Sequence, residues 1–202
     1  AMALVPEIES CDATLQAWYP GQAGGTAVAN VLLGNYNPSG KLPVTFYKNV
    51  NQLPDFEDYN MKGRTYRFMT EKPLFHFGYG LNYTTFVIGN ARLNKTKINR
   101  NESLKMTIPV SNTGKMSGTE VVQVYVKKVN DIEGPVKTLR GFQRVELAAG
   151  KTLQASIELA PSAFEFYDWA QRKMLVTPGE YDVYYGNSSD DKDLKIKRIV
   201  IK

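Results

Sequence analysis

Leu104-Lys105-Met106-Thr107-Ile108-Pro109-Val110, followed closely by Asn112-Thr113-Gly114, is the stretch that decides the architecture. Leu104, Met106, Ile108 and Val110 recur at every second position, the period of a strand that buries one face. Asn112-Thr113-Gly114 has the turn chemistry that ends such a strand. The pattern returns in Val122, Val124 and Val126 ahead of Gly134-Pro135, in Leu139 to Leu147, and in Leu153, Ala155, Ile157 and Leu159. Ala149-Gly150 separates the last two as a hairpin-like junction. Phe164 and Phe166, then Tyr181, Val183 and Tyr185, then Leu194 and Ile196 complete the series. About seven strands with turn signals every ~8–12 residues predict two antiparallel sheets packed face to face.

Such a sandwich is immunoglobulin-like or fibronectin type III-like, and a chain with one cysteine, Cys11, lacks the paired cysteines of antibody domains, which favours the second. Upstream the pattern changes. Ala13, Leu15, Ala17 and Tyr19 alternate as in a strand, and Pro20-Gly21 breaks it. Thr26 is a candidate N-cap for a helix carrying Ala27, Val28, Val31 and Leu32, with Gly34 placed as its C-terminal glycine. Leu42 to Phe46 reads as another short strand. One such unit cannot cover a parallel sheet, so residues 1–46 read as the tail of a larger α/β domain. Residues 47–85 form a long aromatic-rich linker, a kind of connection that is functional or packed against something else. The expected fold is therefore mainly β: a fibronectin type III-like sandwich over residues 86–202, preceded by a partial α/β segment and the linker.

The chain has 202 residues, 43% hydrophobic and 22% charged, values of a folded protein with material for a core. One cysteine and one histidine, His76, exclude a thiolate zinc cluster, a His-rich metal site and a disulfide framework. Carboxylates remain as the reactive groups. The net charge of +5 raises the question of nucleic acid, but the basic residues are dispersed. Lys192, Lys195, Lys197, Arg198 and Lys202 bracket Leu194, Ile196 and Ile199 as the wet face of a strand guarding a sheet edge. No nucleic-acid partner is expected. No run reaches the ~20 apolar residues of a membrane span. No secretory leader is visible, and Ala1 ahead of Met2 reads as an artificial boundary before a start codon.

Several partial motifs fail on spacing. Between Gly34 and Gly40 stands one residue too many for a phosphate loop, and Leu42 occupies the magnesium-binding position. Gly78-Tyr79-Gly80 opens a dinucleotide fingerprint that Tyr83 does not complete. No nucleophile elbow accompanies His76, whose plainer reading is a packed residue between Phe75 and Phe77. Asp55, Glu57 and Asp58 cluster beside aromatic residues, and two carboxylates about 5–9 Å apart are what a glycosidase needs. The plainer reading is a solvated loop that pairs with Arg64 and Arg67.

Two further stretches carry a resemblance. Ala17-Trp18-Tyr19-Pro20-Gly21-Gln22-Ala23-Gly24-Gly25-Thr26-Ala27 and Asn37-Pro38-Ser39-Gly40-Lys41-Leu42-Pro43-Val44-Thr45-Phe46 resemble the end of the second domain of glycoside hydrolase family 3. Gly63-Arg64-Thr65-Tyr66-Arg67-Phe68 and the run Pro73 to Thr84 resemble that family's linker. Gly134-Pro135 with Leu139-Arg140-Gly141-Phe142 is similar to its fibronectin type III-like domain. The resemblance implies a retaining exo-acting β-glucosidase or β-xylosidase acting on oligosaccharides from plant polysaccharides, with a lean towards the xylosidase-like branch. It also implies that the nucleophile and the acid/base carboxylate lie on earlier domains. No catalytic residue, cofactor or metal site is then expected in this chain, which should be inactive alone. Trp18, Arg64 and Tyr66 are the candidates for the rim of the sugar site or for contacts with the catalytic domains. Those domains are the implied partners, an oligosaccharide is reached through them, and an extracytoplasmic home follows from the family. Apolar surface left on residues 1–46 predicts homodimerisation or local disorder. The competing reading is a non-catalytic carbohydrate- or protein-binding module. It would show a row of exposed aromatics, with Tyr125, Tyr167, Trp169, Tyr181 and Tyr185 as candidates.

Overall fold

The computed structural model describes residues 3–202, so the Ala1-Met2 junction lies outside the described residues. Short helices come first: α1 (Val5–Ser10), α2 (Gly24–Leu32) and α3 (Thr65–Phe68). Strands follow as β1 (Phe86–Ile88), β2 (Arg92–Leu93), β3 (Lys97–Ile98), β4 (Leu104–Asn112), β5 (Gly118–Lys128) and β6 (Thr138–Leu147). The rest are β7 (Thr152–Leu159), β8 (Phe166–Asp168), β9 (Lys173–Leu175), β10 (Gly179–Gly186) and β11 (Lys195–Ile201). β4 is the centre of one sheet, with β7 along one edge and β1 and β2 on opposite ends of the other. The second sheet runs β3-β11-β10-β5-β6 and is antiparallel except for the β3–β11 pair. β8 and β9 form a separate hairpin.

The alternation in β4 holds: Leu104, Met106, Ile108 and Val110 are buried against Val122, Val124, Val126, Tyr181, Val183 and Tyr185 of the facing sheet. The junction at Ala149-Gly150 does something other than close a hairpin. β6 pairs with β5 and β7 with β4, so the turn carries the chain from one sheet to the other. Gly150 takes φ +71 there and donates its N–H to the Asn112 carbonyl at 2.9 Å. The last strand also differs from its reading. β11 is covered by β3, and its inward residues are Ile199 and Ile201, while Ile196 is exposed. Its basic residues are partly paired: Arg198 reaches Asp182 at 2.7 Å and Glu180 at 3.3 Å on β10.

Upstream of β1, the α/β segment keeps its helix but not its ladders. α2 starts at Gly24, with Ala23 rather than Thr26 at its N-cap, and Gly34 follows it at φ +73. Residues 13–19 form no strand, and Trp18 takes φ +54. Leu42 to Phe46 contracts to one bridge between Phe46 and Phe75, flanked by bonds between Leu42 and residues 78 and 79. A strand exists only where a neighbour takes its backbone groups, and alternation alone supplies none. α1 has helix-start features in Pro6 and Glu7 that our reading did not use.

Candidate functional site

Residues 66–79 lie across the outer face of the second sheet, and the seam between them is built from polar and aromatic contacts. β5 shows why: residues 122–126 are buried on both faces, not alternately. Tyr125 points away from the sandwich core, edge-on to Tyr66 at 5.8 Å and to Phe77 at 6.4 Å, and Tyr66 stacks on Phe77 at 4.2 Å. Burial, with the Tyr66 hydroxyl nearby, raises the Tyr125 hydroxyl far above the ordinary tyrosine range. It donates instead to Gln123 Oε1 at 2.5 Å. Gln123 Nε2 donates to the carbonyls of Gly78 at 3.1 Å and Asn187 at 2.6 Å, tying linker, sheet and the loop after β10 together.

Beside this knot opens a cleft of about 430 Å³, lined among others by Thr45, Tyr66, Lys72, His76, Lys137 and Ser189. Its carboxylates are Glu71, Asp190 and Asp191. Asp190 accepts from the Lys192 amide at 3.1 Å and stands 3.2 Å from His76 Nε2 without a hydrogen bond to it, Asp191 pairs with Lys137, and Glu71 accepts from Gln52 Nε2 at 3.3 Å. Lys137 also donates to the Ser189 carbonyl at 2.9 Å and lies under the Tyr184 ring. The packed-between-phenylalanines reading of His76 therefore gives way to a residue on the cleft wall facing Asp190.

Burial holds the His76 imidazole below its usual pKa, and Lys137 and Lys72 act in the same direction. Asp190 and Asp191 pull the other way without cancelling the burial. The folded chain prefers neutral His76, so its contribution to stability is complete above the unfolded value of about 6.5. It is lost as the pH falls from there through the depressed folded value. The stability difference between the wild type and His76→Gln, measured by urea denaturation, should shift against the wild type between about pH 7.5 and pH 5. A shift in its favour would mean that the Asp190 pair dominates.

The residues singled out from the sequence do not converge. Trp18 takes φ +54, is 46% exposed and leans on Phe46 with ring centroids 6.1 Å apart. Arg64 braces the loop before α3, donating to the carbonyls of Asn60 at 3.1 Å, Asp58 at 2.5 Å and Asp55 at 3.3 Å. It thus bonds backbone rather than the Asp55 and Asp58 carboxylates, which cap their own turns by accepting from the Glu57 and Asn60 amides. Those Asn60 bonds hold Asp58 below the usual carboxylate range. The expected pairing of Arg67 with this cluster is absent too: its guanidinium sits over the Phe68 ring. Tyr66 is in the seam, its backbone N–H bonded to Thr45 Oγ1 at 2.9 Å and its hydroxyl accepting from the Leu139 amide at 3.1 Å. Cys11 is exposed and free. Among the described residues no cluster of His, Cys, Asp and Glu could hold a metal ion, and no helix is long and apolar enough to cross a membrane.

The fold is shared with known proteins. Residues 1–83 match the glycosyl hydrolase family 3 C-terminal domain and residues 120–189 a fibronectin type III-like domain. The chain belongs to glycoside hydrolase family 3. Among its family 3 relatives, a xylan 1,4-beta-xylosidase of Xylanibacter ruminicola is 54% identical over 96% of this chain and 22% of its own length. A periplasmic beta-glucosidase of Salmonella typhimurium is 37% identical over 93% of this chain and 26% of its own length. The solved beta-glucosidase of Listeria innocua in complex with glucose superposes with a TM-score of 0.85 at 31% identity, covering 99% of this chain and 29% of that one. The chain thus spans about a quarter of the length of the family 3 proteins it matches. Sequence reading misses Glu120, Gln123 and Lys137: Glu120 pairs with Lys41 and Gln123 bonds the Gly78 carbonyl across the seam, whereas Lys137 braces the loop after β10 through Ser189 and Asp191. Of these only Gln123 carries a signal in the sequence, an amide that interrupts the apolar run from Val121 to Val126.

Proposed function

We propose that these residues are the C-terminal scaffold of a retaining exo-acting β-glycosidase that trims oligosaccharides from plant polysaccharides, with β-xylosidase ahead of β-glucosidase. The observation that carries the reading is the 54% identity, along nearly the whole chain, to the xylan 1,4-beta-xylosidase of Xylanibacter ruminicola. Retaining hydrolysis needs one carboxylate as nucleophile and another as acid, opposed across a sugar about 5 Å apart in a dry, preorganised site. Asp190 accepts from the Lys192 amide, Asp191 pairs with Lys137, Glu71 accepts from Gln52, and Asp55 and Asp58 cap their own turns. The catalytic pair then belongs to residues outside this sequence, and the contribution of this chain is positional. In this reading residues 1–46 are the tail of the family's α/β domain, residues 47–85 the linker and residues 86–202 the sandwich. Trp18 and Arg64 stand at the rim of the sugar site, and Tyr66 locks the linker on the sandwich. The periplasmic name of the Salmonella relative supports an extracytoplasmic home.

Purified chain offered nitrophenyl β-xyloside and nitrophenyl β-glucoside should show no turnover above buffer. Clear turnover would sink the reading. Leu32, Leu33, Tyr19, Tyr36 and Phe56 are exposed on the segment that the catalytic part is proposed to cover. The 202-residue chain should therefore self-associate in light scattering, or exchange its amides fast over residues 13–46. A monomer protected throughout that stretch would contradict this.

A further inference from the structure

Arg67 of α3 and Arg140 of β6 meet where the linker crosses the end of the second sheet. The Tyr66 hydroxyl accepts from the Leu139 amide at 3.1 Å, and the Arg67 carbonyl accepts from the Val136 amide at 2.7 Å, so the two backbones run side by side. β6 is the outermost strand of its sheet, and its register against β5 jumps from Gly141 to Leu139, which leaves Arg140 as a bulged residue. A bulge takes its residue out of the ladder and re-aims the side chain. The Arg140 guanidinium lies 5.4 Å over the Phe166 ring and donates Nη2 to the Glu165 carbonyl. Arg67 lies 5.4 Å over Phe68. Among the described residues neither guanidinium has a carboxylate within ion-pair distance.

The surroundings make that pairing of like charges costly. Both Nε atoms are buried without an acceptor, and so are Thr138 Oγ1 and Gln143 Oε1 of the same strand, four of the seven such atoms among the described residues. Buried polar atoms without partners are rare in folded proteins, and here they concentrate at one seam. Burial lowers the Arg140 pKa first and the Arg67 charge lowers it next, with Glu165 opposing both.

We propose that Arg67 and Arg140 together hold a carboxylate that belongs to polypeptide outside these residues. A carboxylate is planar and anionic, matches the donor fork of a guanidinium, and cancels the repulsion between two of them. The inference rests on the scaffolding reading and names one contact that would carry it. The chain spans about a quarter of the length of the family 3 proteins it matches, so its relatives carry ample chain to supply the group. The same strand also borders the tail that the catalytic part is proposed to cover, because Arg144 reaches Ser39 Oγ at 3.4 Å. Neither arginine lines the cleft beside the seam, so a free small anion would stay open to water, where ion pairs are weak. A carboxylate on a packed domain brings its own cover.

The test uses the xylan 1,4-beta-xylosidase of Xylanibacter ruminicola with its C-terminal part replaced by this chain carrying Arg67→Lys. A carbodiimide joins an amine to a carboxylate in contact with it and leaves guanidinium groups alone. Peptide mass spectrometry should find residue 67 linked to an aspartate or glutamate outside the 202 residues, a link absent without the substitution. Links only to carboxylates of this chain, or none from either Arg67→Lys or Arg140→Lys, overturn the proposal. Turnover of nitrophenyl β-xyloside by the unsubstituted chimera reports on the scaffolding reading separately, since the link is read by mass with or without turnover. The isolated chain gives a second readout. Nothing faces the pair there, so Arg67→Met should match or exceed the wild type in urea midpoint at low ionic strength, with any gain shrinking in high salt. In the chimera the same substitution should lower the thermal midpoint. A lower midpoint in both proteins overturns the proposal, because Arg67 then serves only the fold of this chain. Stabilisation of the isolated wild type by acetate over chloride at equal ionic strength, lost in Arg67→Met, also overturns it and assigns the pair to a free anion.

Discussion

Glu120→Ala is expected to lower the stability of the chain by about 3–5 kcal/mol, a large share of the ~5–15 kcal/mol typical of a folded protein. Lys41 and Glu120 form an ion pair at 2.8 Å with side chains only 9% and 4% exposed. Lys41 also donates to the Gly80 carbonyl at 2.9 Å, and Glu120 accepts from Asn187 at 3.3 Å. Removing the carboxylate strands an ammonium group in the seam without its counter-charge, which is the costly way to break a buried pair. Replacing both partners, as in Lys41→Met with Glu120→Leu, should cost much less than the single change, because neither charge then remains to be desolvated. Urea denaturation of the two singles and the double checks this. A single-mutant loss under about 1 kcal/mol would mean that the pair behaves as a surface one.

Gly78→Ala should destabilise by about 2–5 kcal/mol, from positive-φ strain together with overpacking. Gly78 sits at φ +79, and a Cβ there would fall inside the Gln123 amide. The end of a glutamine side chain normally swings aside at little cost. Here it cannot, because Gln123 is bonded at once to Tyr125, the Gly78 carbonyl and the Asn187 carbonyl. Moving it frees buried polar groups, whose loss of partners adds to the strain. The same substitution at Gly150, which also has positive φ but open space around it, should cost only the backbone strain of about 1 kcal/mol. Thermal melting of the two variants side by side separates packing from φ.

These contacts explain what was readable beforehand. β4 was legible because its alternation is a local fact: each core residue of Leu104, Met106, Ile108 and Val110 declares its face within a few positions. β5 was only half legible. Val122, Val124 and Val126 marked the inner face, but nothing near Gln123 and Tyr125 in sequence says that a linker will cover the outer one. Residues 13–19 misled for the converse reason, showing alternation without a neighbouring strand to satisfy it. Among the site candidates, Arg64 was noticed as a charge beside carboxylates, whereas its partners turned out to be backbone carbonyls that composition cannot reveal. The aromatic row sorted itself only in three dimensions, where Tyr181 and Tyr185 entered the core and Tyr167 and Trp169 stayed outside.

In the proposed function these residues position the catalytic domains. The most direct measurement is on a chimera in which this chain replaces the corresponding C-terminal part of the Xylanibacter ruminicola xylan 1,4-beta-xylosidase, to which it is 54% identical. The chimera should hydrolyse nitrophenyl β-xyloside within about tenfold of the parent, a margin of about 1.4 kcal/mol. Glu120→Ala in the chimera should lower its thermal stability and its yield of active enzyme together. A chimera that folds, purifies as a soluble enzyme-sized species and turns over no substrate would rule out a positional role for these residues.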